Sequence, residues 1–316
     1  MNELLGYIHE IGRGPRGARD LPAAAAGQLW QAILDGRLAP AAVGAALMAM
    51  RLKGESPDEL RALREAVHAR LPALAPATGT DGPLVCMPCY NGARRLPNLS
   101  WLTALALRRA GFAVLMHGVR RDPGRIASCE VAEAAGGPVV DSVAAASEAL
   151  SGPLPVFLPI DAWCPPLAAM LALRFEMGVR NTAHTIAKLL RPSDDALLLC
   201  PVTHTEYLEP VIALLGDDPG PALVFRGGDG EPTLYPHVAR QLYRIAAGAG
   251  TGPQRLSETE ASPVLAPDPA VRLPASASPQ EVAEWSAAVI RGSEPMPSMT
   301  AALVEYAVNA AAVAPR

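Results

Sequence analysis

Apolar residues recur at helical spacing through the first eighty positions and then give way to short apolar runs separated by helical stretches. Leu4, Leu5, Ile8 and Ile11 share one helical face; Asp20 and Pro22 open a second helix that Gly36 closes; Pro40 opens a third that runs to Gly54. Ser56, Pro57 and Glu59 begin a fourth, with the hydroxyl placed to cap the third amide and Glu59 to reach back to the cap. A spacer rich in Pro, Ala, Thr and Gly, residues 72–83, ends this stretch. Beyond it, Leu84–Met87, Ala113–Met116, Val139–Val140, Val156–Ile160, Leu197–Cys200 and Leu223–Phe225 read as strands. Helices near 99–110, 124–135, 142–150 and 205–215 lie between most of them. Alternation of this kind predicts βαβ crossovers and a mostly parallel sheet covered on both faces. Two consecutive helices, Leu167–Met177 and Asn181–Leu190, break the rhythm and are expected to pack with the N-terminal helices. Residues 245–279, dominated by Gly, Pro, Ser and Thr, read as a long surface excursion before Ser278, Pro279 and Glu281 cap another helix. The expected fold class is α/β, with a helical domain over residues 1–78, joined by helices of about 163–192, and an α/β domain over 79–316.

Composition supports two folded domains. The chain has 316 residues, half of them apolar but only 4% aromatic, which suits Ala-rich helices better than aromatic strands. The charge-free apolar run Leu38–Met50 is shorter than the roughly 18 to 20 residues a membrane span needs. The opening MNELLGYIHE has acidic residues and no basic leader, so no secretory signal, no membrane partner and a cytoplasmic location are expected. Five scattered cysteines argue against a disulfide framework. Cys86 and Cys89 have redox or zinc spacing, but they lack further ligands and the helix start that would activate a thiol, so they read as small buried residues. No metal site is expected.

Charge is uneven. Net charge is −4, yet residues 193–316 carry 7 basic and 15 acidic groups, whereas Pro88–Ser128 holds seven arginines against Asp122 alone. That stretch is a candidate basic patch on an acidic protein.

Ligands of open α/β sheets collect beyond the carboxyl ends of the strands, and four segments there are unusual. Pro88–Ser100 contains Asn91, Gly92, Arg94 and Arg95 between a strand and a helix, a layout in which amides and guanidiniums can surround an anion; the alternative is a solvated loop. His117 and Gly118 leave a buried strand ahead of Arg120 and Arg121, placing an imidazole at the sheet edge with room for close backbone approach to a ligand; a buried structural histidine is the commoner case. In Arg174–Pro192, Gly178 ends one helix and Asn181 caps the next, while His184, Lys188 and Arg191 share a helical face, which forms either an anion-binding stripe or a solvated face. Within Arg226–Thr233, Asp229 and Glu231 follow paired glycines and either hold a cation or sit in an exposed turn.

In order, these segments resemble the anthranilate phosphoribosyltransferase family (glycosyltransferase family 3) along nearly the whole chain. His117-Gly118 stands at its Lys-His-Gly-Asn motif, Arg174–Thr182 follows Arg-x-x-Leu-Gly-x-Arg-Thr, and Arg226–Gly230 falls on a His-Gly-x-Asp-Gly turn. The resemblance implies a nucleoside phosphorylase/phosphoribosyltransferase-like fold with a cleft lined by His117, Gly118, Arg174 and His184, Arg174 meeting an aromatic carboxylate. Departures are concentrated at the diphosphate. Met87–Asn91 replaces a Gly-Thr-Gly-Gly-Asp loop, with Pro88 lacking an amide, and Pro232-Thr233 replaces an Asp-Glu pair that holds magnesium. A further match is to the YbiB-like branch, through Ile8–Gly14 with Ala18–Asp20, Tyr90–Arg94, His117–Val119, Cys164–Pro166 and Met177–Thr185.

That branch implies a homodimer that binds DNA or other nucleic acid with little sequence preference and without transferase activity. The residues expected to meet nucleic acid or anions are Asn91, Arg94, Arg95, Arg120, Arg125, Arg180, Lys188 and Arg191, with no cofactor. Self-association is expected through the N-terminal helices, because Leu47, Met48, Met50 and Leu52 leave more apolar surface than four short helices can bury among themselves. The alternative is a working phosphoribosyltransferase, which alone would need magnesium, with His117 acting on a leaving group and Asn91 and Arg94 holding phosphate. A dimer that organises partner proteins is the third reading.

Overall fold

A computed structural model of the chain describes residues 2–74, 82–246, 260–275 and 277–312. It divides into two compact units, Met1–Pro72 with Cys164–Leu190, and Ala73–Trp163 with Arg191–Arg316. Part of the expected spacer, residues 75–81, lies outside the described residues.

The first unit is helical. Helices α1 (Asn2–Ile11), α2 (Ala23–Leu34), α3 (Pro40–Lys53) and α4 (Pro57–His68) fall where Pro and Gly punctuate the apolar periodicity. The capping box of α4 forms: Glu59 N donates to Ser56 Oγ at 3.2 Å, and Ser56 N donates to a Glu59 carboxylate oxygen at 2.9 Å. The same carboxylate accepts from Leu21 N at 2.8 Å and Lys53 Nζ at 2.6 Å, so one buried Glu ties α4 to α3 and to the entry of α2. Leu47 and Met50 are fully buried, contrary to the expected apolar dimer surface. The helices of 165–187 join α1–α4 in this unit, and Leu52 is the exposed member of the set.

The second unit is a seven-stranded sheet in the order β3-β2-β1-β4-β5-β6-β7. Strands β1 (Leu84–Cys89), β2 (Ala113–Gly118), β3 (Val156–Pro159), β4 (Leu197–Val202) and β5 (Ala222–Arg226) run parallel, as the alternation predicts. Val139 makes only an isolated bridge to Phe157. Two strands were not expected: β6 (Leu242–Ile245) and β7 (Glu260–Ala261) extend the sheet antiparallel, β6 with Leu242 and Ile245 buried and β7 as the short exposed edge. The excursion expected over 245–279 is therefore partly sheet, and residues 247–259 and 276 lie outside the described residues. Helices Ser100–Arg109, Pro279–Arg291 and Ser298–Ala312 belong to the same unit, and Trp101, Phe157 and Phe225 anchor its core. All five cysteines are buried as thiols, and burial pushes Cys86 and Cys89 up, which removes the nucleophile a redox pair needs. Among the described residues no helix is long and apolar enough to cross a membrane.

Candidate functional site

The strand order places a topological switch between β1 and β4, because the crossover from β1 leads to β2 on one side while β4 and β5 extend the other. The β1–β4 ladder stops at Cys86 opposite Leu198, whereas β1 continues beside β2 to Cys89. Pro88 has no amide to give a ladder. Beyond it the loop after β1 meets the loops after β4 and β5.

Asn91 is the junction. Its Nδ2 donates to Thr203 Oγ1 at 3.0 Å and to the Asp229 carbonyl at 2.8 Å. The backbone amides of Asn91 and Gly92, the donors expected to surround an anion, are engaged by the chain itself: both donate to Glu231 Oε1, at 2.6 and 3.0 Å. Ser128 Oγ donates to Glu231 Oε2, and Asn98 Nδ2 donates to Ser128 Oγ at 3.1 Å. Arg94 N donates to Asp229 Oδ2 at 3.0 Å. Arg125 holds the opposite side of the loop, its Nη1 donating to the carbonyls of Asn91 and Gly92 at 3.3 and 3.1 Å. Glu231 is thus neither an exposed turn acid nor a cation ligand. Its carboxylate is buried and fully engaged, and no group of three metal-ligating side chains is found among the described residues. Thr233 is also buried, its hydroxyl 2.9 Å from that of Thr103. These donors do not fit magnesium, which takes several open oxygens in near-octahedral array.

The expected basic patch is smaller than its sequence count. Arg120 pairs with Asp141 and Asp161, and Arg121 with Glu130 and Glu133. Arg108 and Arg109 donate to backbone carbonyls. Arg94 and Arg95 remain: both are exposed, and neither side chain meets a carboxylate among the described residues. Arg226, at the carboxyl end of β5, is exposed in the same way. Arg240 Nε donates to the Arg226 carbonyl at 3.1 Å, and burial together with the charge of Arg226 pushes Arg240 down. Arg226 and Arg240 were missed as anion-binding candidates because each is an isolated cation in sequence; only the β5–β6 hairpin joins them.

His117 is corrected. It is completely buried at the end of β2, with Nδ1 2.7 Å from Tyr90 Oη and its ring edge-on to Tyr90 and Trp163. Strands β1 and β3 flank it, so it lies inside the sheet and not at an edge. Gly118 serves backbone packing: a Cβ there would stand 1.8 Å from the Cys89 carbonyl oxygen.

In the helical unit, Gly178 ends the helix Arg174–Met177 in the left-handed conformation, and Asn181 Oδ1 caps the next turn by accepting from Ala183 N at 3.0 Å. Arg174 stacks on Phe175, and the Arg180 carbonyl accepts from Arg51 at 2.8 Å. The stripe of His184, Lys188 and Arg191 does not form a surface. The helix is only Ala183–Ala187, all three side chains are buried, and Arg191 belongs to the other unit, where it pairs with Asp218. Burial, then the charges of Arg180 and Arg174, push His184 down to about 3. A histidine held neutral in the fold but protonated when unfolded destabilises the fold as pH drops below the unfolded value of about 6.5, until about 3. Denaturant midpoints measured between pH 7 and pH 4 are expected to fall with pH, and His184→Gln is expected to flatten that slope.

Comparison with known proteins places this geometry. Residues 6–70 match the glycosyl transferase family helical bundle domain. The chain is 37% identical over 292 residues to YbiB of Escherichia coli (strain K12), covering 92% of this chain and 88% of that protein. It is 30% identical over 254 residues to anthranilate phosphoribosyltransferase of Nitratidesulfovibrio vulgaris (strain DSM 19637 / Miyazaki F), covering 79% and 72%. The chain belongs to the anthranilate phosphoribosyltransferase family. Among solved structures, the family enzyme from Thermus thermophilus matches with TM-score 0.72 at 22% identity, covering 100% of this chain and 91% of that one, which supports the fold. In this chain, the loop after β1 is held by its own carboxylates, Glu231 on the Asn91 and Gly92 amides and Asp229 on the Arg94 amide.

Proposed function

We propose that this member binds nucleic acid through phosphate contacts and does not carry out phosphoribosyl transfer. One contrast at the carboxyl edge of the sheet carries the reading. The buried amides of Asn91 and Gly92 are bound to Glu231, while Arg94, Arg95 and Arg226 are exposed without carboxylate partners among the described residues. A small diphosphate would need the first set; a polyanion lying across the surface needs only the second, and arginine forks suit phosphate without magnesium. Arg125 supports this surface from behind by fixing the loop. Arg120 contributes less, since two aspartates already neutralise it. Lys188 and Arg191 are buried and drop out of the proposed contacts, whereas Arg180 is half-buried and stays a candidate on the helical unit. Self-association through the N-terminal helices remains part of the proposal, with its support narrowed to exposed Leu5 and Leu52.

Salt dependence is the test. In a filter-binding titration with a mixed-sequence duplex, affinity is expected to fall steeply with salt, each neutralised phosphate adding about 0.9 to the log–log slope. Absence of binding at low salt would remove the reading. Catalysis is the second reading, favoured by the 30% identity to a named transferase over 254 residues and by Arg174 at the corresponding motif.

A further inference from the structure

We propose that Glu231 is a built-in substitute for a phosphate group, and that its carboxylate determines whether the loop after β1 accepts an inorganic anion. This deepens the reading that the site has given up transfer chemistry. It does not depend on nucleic acid being the partner.

Three donors converge on one carboxylate: the Asn91 and Gly92 amides on Oε1 and the Ser128 hydroxyl on Oε2. Glu231, Asn91 and Ser128 are each 1% exposed, so these are donors in a dry environment, where an unmet amide is costly. Two adjacent amides with a hydroxyl, at the switch point of an open sheet, make a general anion receptor; carboxylate and phosphate offer it the same paired oxygens. Arg125, donating to the two carbonyls of the same loop, adds positive charge.

The turn that delivers Glu231 is specialised for delivery. Asp229 has φ 54°, unusual for a residue with a side chain, and Gly230 has φ 83°. A Cβ at Gly230 would lie 1.9 Å from Asn91 Nδ2, so the turn is pressed against the loop it fills. An ordinary hairpin turn needs neither this contact nor a buried acid at its end.

The experiment uses the full chain and inorganic phosphate, compared with chloride at equal ionic strength. Wild type, Glu231→Ala and Glu231→Gln are followed by thermal melting and by the amide resonances of Asn91 and Gly92. Glu231→Ala is expected to melt several degrees lower in chloride and to recover at least about 2 °C at phosphate well above its dissociation constant, with both resonances shifting; wild type is expected to show neither effect. Glu231→Gln, which keeps the shape without the charge, is expected to show a smaller phosphate-specific recovery. Should Glu231→Ala fail to fold, Glu231→Gln decides. Equal behaviour of the variants in phosphate and chloride would overturn the proposal and leave Glu231 as a turn-stabilising residue. A phosphate response in wild type as large as in the variants would overturn it too. Nucleic-acid binding by wild type is scored separately, so either idea can fail alone.

Discussion

Replacing Asp218 by alanine is expected to cost about 3–5 kcal/mol of stability, because it removes the carboxylate that balances the Arg191 guanidinium in the interior. Arg191 and Asp218 are 4% and 7% exposed and meet at 3.1 Å. Arg191 also reaches the carbonyls of Pro221 and Ala196 at 3.3 and 3.4 Å, long bonds that do not replace a carboxylate. Removing both charges with Arg191→Met and Asp218→Leu should be far milder, within about 2 kcal/mol of wild type, since desolvation of the pair offsets most of its attraction. Urea titrations of wild type, Asp218→Ala and the double variant separate these cases. The double variant also tests function: Arg191 is structural here, so nucleic-acid affinity should survive its loss. A drop in affinity with the fold intact would return Arg191 to the binding surface.

The second large effect is expected at the rim. Charge reversal by Arg94→Glu and Arg95→Glu removes two exposed guanidiniums that have no carboxylate partner among the described residues, so little stability should change. Affinity for duplex or single-stranded DNA should fall by at least about tenfold at low salt, and the log–log salt slope by about 1 for each arginine in contact. Arg120→Ala provides the contrast, because Asp141 and Asp161 already balance that charge. Its effect on affinity should be several times smaller. Equal losses from both changes would mean that the pairing in the fold does not govern the surface field.

Local rules made the architecture legible. Ser56 with Glu59 and Ser278 with Glu281 mark helix starts that form as written, since a cap depends on residues three apart. Buried parallel strands are continuous apolar runs, so β1, β2, β4 and β5 were visible; the four-residue β6, whose apolar ends Leu242 and Ile245 flank Tyr243 and Arg244, and the two-residue exposed edge strand β7 were not, because so short a run leaves a weaker pattern.

Charge was legible as inventory but not as pairing. The partners of Arg120 stand 21 and 41 positions away, that of Arg191 stands 27 away, and Glu231 reaches Asn91 across 140. A run of arginines in a window therefore overstated the patch, and a helical wheel drawn through His184, Lys188 and Arg191 assumed a helix longer than the five residues that form. His117 misled for a related reason. Its neighbour Gly118 signals close approach, and sequence does not say whether a ligand or the Cys89 carbonyl is what approaches.

The central proposal is that the anion-accepting donors of the loop after β1 are taken by the chain's own carboxylate. Isothermal calorimetry of the wild-type protein with phosphoribosyl pyrophosphate and magnesium tests it most directly. No saturable heat is expected up to millimolar ligand, since Glu231 already holds the Asn91 and Gly92 amides and the Ser128 hydroxyl. Micromolar binding that vanishes when magnesium is chelated would contradict the account and restore the chain to the catalytic members of its family.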